Sequence, residues 1–175
     1  LRKADLVGII AFNTEPEVVV PLGANADIAG NQKAAREIYP GGGTNIPPAV
    51  EEALDQLARV DVKQKHVIVL SDGLSMGRER LAGLAERARD EGVKLSTVAV
   101  GLDADGQVME RMATIAGGRY YHVLNPNALP RIFLKAVRVV RSPLVRDEAF
   151  QPVVLAPESP LAAGVGVPPM LNGLN

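Results

Sequence analysis

A hydroxyl at Thr44 and a carboxylate at Asp72 are the residues of this chain best placed to do chemistry. Each sits in a short polar loop. Gly41-Gly42-Gly43-Thr44-Asn45 stands just before a helical pattern, and Ser71-Asp72-Gly73 just after an apolar run. In an open parallel α/β sheet, ligands collect beyond the carboxyl ends of the strands, so the two loops are expected to meet there. Both donors are hard oxygens and suit a cation such as Mg²⁺. Two protein oxygens do not fill an octahedral shell, so more ligands are needed. Each residue also fits a plain structural role, Thr44 near a helix N-cap and Asp72 as a turn former before glycine.

Other chemistries are weaker. The chain of 175 residues has no Cys, which excludes thiolate metal sites and a Cys nucleophile. A nucleotide- or phosphate-binding α/β enzyme is the alternative reading, because a glycine loop before a helix cradles phosphate. Neither G-x-x-x-x-G-K-[ST] nor G-x-G-x-x-G occurs, however. Ser71, His66 and Asp72 are near one another in sequence, but no G-x-S-x-G elbow presents a nucleophile. His66 and His122 lie in strand-like runs and read as structural. Lys plus Arg total 19 against 20 Asp plus Glu, a net charge of -1, which excludes a generally basic nucleic-acid binder. Seven basic residues and no acidic one fall between Arg111 and Arg146. Three of them lie near a helix C-terminus, where cations are favoured anyway. No apolar run reaches the roughly 18 residues of a membrane span.

The elements that must position the two loops follow from periodicity. Residues 5–12 and 17–22 are apolar runs joined by Asn13-Thr14-Glu15-Pro16, an antiparallel hairpin with Pro21 suited to an edge. Residues 26–38 are a helix candidate. Pro47 and Pro48 stand where a first helical turn tolerates proline, and Val50, Leu54 and Leu57 mark one face, with Glu51, Glu52, Asp55 and Gln56 turned outward. Residues 65–70 form a continuous apolar run, read as a buried parallel strand. Helices over 79–91, 106–116 and 128–140 alternate with strands over 95–100 and 119–123. Met109 and Met112 belong to the core. Gly73, Gly101 and Gly117 are expected at positive φ. Apolar residues make up 47% and aromatics 3%, so aliphatic side chains must fill the interior. The whole reads as α/β, a doubly wound, mostly parallel sheet with helices on both faces.

These residues resemble the von Willebrand factor type A family. Gly42-Gly43-Thr44-Asn45-Ile46, followed by Ala49 and Ala53-Leu54, is similar to that family's second metal-site loop, and Val67 to Gly73 to the third. Ser96 to Gly101, with Ala116-Gly117-Gly118 and Tyr120-Tyr121, is similar to the closing strands, so the likeness covers residues 3–140. It implies a Rossmann-like fold with a metal-ion-dependent adhesion site. Thr44 would be a direct ligand and Asp72 would act through a bound water, with Gly43, Asn45, Ser71 and Gly73 shaping the loops. An acidic group from a protein partner would complete the shell, giving binding without turnover and no role for nucleic acid.

One family motif, Asp-x-Ser-x-Ser on the first strand, does not occur. The chain is therefore expected to begin after that strand and its helix. By the family's topology the absent strand lies between the 5–12 and 65–70 strands. Such a fragment is expected to bind Mg²⁺ poorly and to self-associate through exposed strand edges.

Residues 1–141 are assigned to this domain and 142–175, with prolines at 143, 152, 157, 160, 168 and 169, to a linker or a following domain. Arg138 to Arg146, Phe150 to Pro152 and Gly166 to Gly173 resemble the segment after the type A domain in large bacterial membrane proteins. Those proteins also carry a glutamine-amidotransferase-like domain. The resemblance implies a bacterial, membrane-associated parent. With no Cys, an amidotransferase nucleophile is not in this chain.

Overall fold

Apolar runs and amphipathic segments alternate along the chain and fold as five strands and five α-helices among the described residues. The order is β1 (Leu6–Phe12), β2 (Pro16–Ala24), α1 (Ile28–Arg36), α2 (Ile46–Ala58), β3 (Lys65–Ser71), α3 (Leu81–Asp90), β4 (Val93–Val100), α4 (Gly106–Ile115), β5 (Gly117–Val123) and α5 (Leu129–Arg141). The computed structural model describes residues 5–141, apart from 40 and 103. The linker reading of 142–175 and the resemblance drawn there lie outside the described residues.

Local chemistry sets the boundaries. Asp27 caps α1 by accepting from the Gly30 N–H at 2.8 Å, and Asp105 caps α4 by accepting from Val108 N–H at 3.3 Å. Gly92, at φ 69°, ends α3 in the left-handed conformation that a side chain resists. Gly101 and Gly117 have positive φ as expected, whereas Gly73 does not. Gly73 lies instead in close approach to Thr44.

The architecture is α/β with a parallel sheet flanked by helices. Its strands form two hydrogen-bonded groups, an antiparallel β1-β2 pair and a parallel β3-β4-β5 sheet. The core between helices and strands is aliphatic. Ile46, Val50 and Leu54 of α2, Leu81, Leu84, Ala85 and Ala88 of α3, and Met109 and Met112 of α4 pack on Val69, Val93, Leu95 and Ala99. The predicted apolar faces are thus the buried ones. Successive strand residues face opposite sides, so Ser96 and Val98 line the other face of β4. There Val98 and Val123 are buried, and α5 contributes a fully buried Ala136.

Two sequence expectations are corrected. Gln56 is not turned outward: its Oε1 accepts the Leu22 N–H of β2 at 3.0 Å. The cause is a register shift. Val7 pairs with Gly23 and Ile9 with Val20, so Gly8 faces both Pro21 and Leu22, and the bulge frees a donor. The second correction concerns β3. Its unbroken apolar run predicts burial, yet Leu70 is 44% exposed and Val67 and Ile68 are only half-buried. Among the described residues β3 has a ladder partner on the β4 side alone.

His66 fulfils its structural reading. Its Nε2 lies 2.9 Å from Ser96 Oγ, which also accepts the Arg119 N–H at 3.0 Å, while Nδ1 is buried without a partner. Burial, aided by the nearby Lys94 charge, lowers its pKa from 6.5 to about 4. The unfolded chain therefore binds this proton between those two values and the folded chain does not. Stability from His66 is complete above pH 6.5 and falls as pH drops towards 4, by no more than about 3 kcal/mol. Urea midpoints between pH 7.5 and 4.5 test this. A His66→Gln variant is expected to flatten that part of the profile, and an unchanged profile would refute the assignment.

Candidate metal and partner site

The two loops meet. β1 ends at Phe12, and the following turn reaches the glycine loop: Gly43 N–H donates to Thr14 Oγ1 at 3.4 Å, and Asn45 Nδ2 to the Thr14 carbonyl at 3.0 Å. β3 ends at Ser71, and its loop reaches the same segment: Met76 N–H donates to the Thr44 carbonyl at 2.8 Å, and Ile46 N–H to Ser75 Oγ at 2.9 Å. Both strands thus run towards one place, with Thr44 between their carboxyl ends.

The loop that carries Asp72 passes close to Thr44 at Gly73. A Cβ on Gly73 would lie 3.3 Å from Thr44 Oγ1, so the backbone next to Asp72 is in close approach to the hydroxyl. The carboxylate is exposed and the hydroxyl half-exposed. Among the described residues neither group is engaged in a side-chain hydrogen bond or ion pair.

The supporting residues divide differently from expectation. Gly43 is closely approached by Met76, whose Cε would lie 3.2 Å from a Cβ there. Ser71 is buried and its hydroxyl donates to the Gly73 carbonyl at 3.5 Å, so it shapes the loop without facing the site. Asn45 is the N-cap residue of α2, but its side chain makes no cap hydrogen bond. Ser75, distant in sequence, takes the first-turn N–H in its place. Sequence reasoning missed Ser75 and Thr14, because both act across 29 or more residues. Nothing in their own neighbourhoods signals it.

The donor set is one neutral and one anionic oxygen, which fits a hard divalent cation. Among the described residues no group of three or more His, Cys, Asp or Glu is placed to hold a metal. Thr44 and Asp72 thus account for only part of a coordination shell.

The class of the protein follows from the fold, an α/β domain with a parallel sheet flanked by helices and two polar loops meeting near the ends of β1 and β3. The family model of the von Willebrand factor type A domain matches residues 2–135, and the chain belongs to that family. Among solved structures, a von Willebrand factor type A protein from Catenulispora acidiphila is similar at 21% identity and TM-score 0.70, covering 77% of this chain and 33% of that one. An aerotolerance-related membrane protein from Bacteroides fragilis is similar at 17% identity and TM-score 0.64, covering 79% and 81%. Proximal thread matrix protein 1 from the mussel byssus, solved with zinc in its MIDAS motif, is similar at 23% identity and TM-score 0.65, covering 75% and 34%. At these identities the likeness is one of fold. A comparison with curated protein sequences gives no match. No helix among the described residues is long and apolar enough to cross a membrane.

Proposed function

We propose that this chain is part of a metal-ion-dependent protein-binding module, non-catalytic, from a larger bacterial membrane-associated protein. The observation that supports the reading is the close approach of Gly73, next to Asp72, to the Thr44 hydroxyl. Thr44 would ligate the ion directly and Asp72 through water. A divalent ion such as Mg²⁺ would, when bound, offer its open position to an acidic side chain of a partner. Gly43 and Gly73 keep the approach free of side chains, while Ser75 and Asn45 fix the first turn of α2 between the two strand ends. The membrane association is supported by the Bacteroides relative's description and by the resemblance in the tail.

The remaining ligands would come from a strand filling the space between β1 and β3. Two features support this. Among the described residues the two strands share no ladder with each other, and they expose apolar residues such as Leu6 and Leu70. A strand inserted parallel to both would end beside Thr14, Thr44 and Asp72. Without it the free edges favour self-association.

Calorimetric Mg²⁺ titration of the complete polypeptide and of residues 1–175 tests both statements. The complete polypeptide is expected to bind, with Thr44→Ala and Asp72→Ala each losing about 10–100-fold. The 1–175 chain is expected to bind weakly and to form concentration-dependent oligomers in ultracentrifugation. Equal micromolar binding by both proteins, or a monodisperse 1–175 monomer with a cooperative melt, would overturn the missing-strand reading. Full affinity in Thr44→Ala would overturn the site.

A further inference from the structure

The densest part of the basic run between Arg111 and Arg146 is α5. Within Leu129–Arg141 stand Arg131, Lys135, Arg138 and Arg141, with no Asp or Glu. At a rise of about 1.5 Å per residue, that row of cations extends about 15 Å along the helix. Arg131 and Lys135 are exposed, and among the described residues neither has an ion-pair or hydrogen-bond partner. Several exposed cations elsewhere are neutralised locally: Lys33 by Glu37, Arg80 by Glu51, and Arg87 by Asp55 and Glu91. Attraction to a helix C-terminus accounts for cations in the last turn of α5, but Arg131 lies in the first turn, where the positive end of the helix disfavours it.

The outer face of α5 is not purely charged. Leu134 is 58% exposed and Phe133 46% exposed. Leu134 follows Arg131 by three residues and Lys135 follows it by four, so these side chains share one side of the helix. The inner side is already used, with Ala136 fully buried and Ile132 half-buried. We infer that the outer face of α5 rests on an anionic phospholipid surface, with Arg131 and Lys135 among the headgroups and Leu134 and Phe133 reaching below them. The inference gives the membrane association proposed above a surface of this chain, and rests on that reading for the choice of a bilayer over an acidic protein. The Thr44 and Asp72 loops play no part in it.

Two properties match the face to a bilayer. A helix lying in the interface keeps its cations at headgroup level and buries its apolar residues just beneath. A dissolved polyanion neutralises the charges but leaves Leu134 and Phe133 in water. Negative headgroups attract each Lys or Arg near the surface and need no shaped pocket to do so.

The test floats the 175-residue chain with vesicles of phosphatidylcholine alone and of phosphatidylcholine with phosphatidylglycerol, at low and high ionic strength. Flotation is chosen because oligomers of the chain would sediment unaided. Binding is expected with the mixed vesicles at low ionic strength only. Replacing both Arg131→Gln and Lys135→Gln is expected to weaken it about 25-fold, about fivefold for each charge. Leu134→Ser is expected to weaken it about fivefold. Replacing both Arg131→Lys and Lys135→Arg keeps the charge and is expected to bind as the parent does. Equal flotation with phosphatidylcholine alone, unchanged binding in the Gln pair, or equal loss in the charge-keeping pair overturns the lipid surface. Binding to soluble polyglutamate that is as tight in Leu134→Ser as in the parent assigns the face to an acidic polymer and likewise overturns it. Each of these results leaves the wider membrane association standing, carried by other segments. Absence of the complete polypeptide from the membrane fraction, with flotation intact, overturns that wider association and leaves the lipid-binding face standing.

Discussion

Gly118→Ala is expected to prevent β5 from pairing with β4. Gly118 lies in β5 beside β4, and a Cβ there would run into the Leu95 carbonyl and lie 2.9 Å from the Ser96 nitrogen. Both are backbone atoms, so no rotamer change relieves the overlap. β5 would have to leave β4, whose Leu95, Ser96, Thr97 and Val98 are all buried. Such overpacking against a fixed backbone belongs among the largest single-residue effects, about 4 kcal/mol or more. A domain stable by roughly 5–15 kcal/mol does not absorb that comfortably. Gly83 is the matched control. It lies in α3, is exposed, and a Cβ there meets nothing within 4 Å. Gly83→Ala should therefore raise stability by about 1 kcal/mol through helix propensity alone. Circular dichroism melts decide the matter, and a Gly118→Ala melt within a few degrees of the parent would refute the prediction.

Leu54→Ala should cost about 3–5 kcal/mol in urea unfolding, the range for a buried leucine that leaves a cavity. Leu54 is fully buried at the centre of α2, which packs on β1, β2 and β3 and touches α3. Loss of this side chain loosens the helix whose first turn follows Thr44, so the bond from Ile46 N–H to Ser75 that fixes that turn should weaken with stability. Asp55→Ala, one residue on, removes only an exposed ion pair to Arg87 at 2.7 Å. It should cost less than about 1 kcal/mol. If the two substitutions cost the same, α2 is not the structural support described.

Local signals carried most of the fold. The apolar faces of α2, α3 and α4, the two proline residues opening α2 and the glycine after α3 were each legible because period, cap and stop act within a few residues. The meeting of the Thr44 and Asp72 loops was legible because each lies where a loop joins an element of the sheet. What escaped was chemistry spanning the chain. Gln56 reads as a solvent-facing helix residue until the bulge at Pro21–Leu22 frees a donor for it. Ser75 caps a helix 29 residues earlier, and its own surroundings give no hint of it. The exposure of Leu70 also escaped, since an unbroken apolar run shows that a strand wants two covered sides without showing what covers them.

The separation of β1-β2 from β3-β4-β5 has a consequence for how the molecule breathes. Hydrogen bonds along a ladder make neighbouring strands open together, and none joins these two groups among the described residues. The hairpin is instead fastened by contacts to α2, such as Gln56 with Leu22, and by the Thr14 bonds to Gly43 and Asn45. Amide deuterium uptake should therefore be biphasic: β1 and β2 exchange in a first, low-energy event, and β4 only in the last. Thr14 moves with the first event, so its grip on Gly43 and Asn45 comes and goes with the opening of the hairpin.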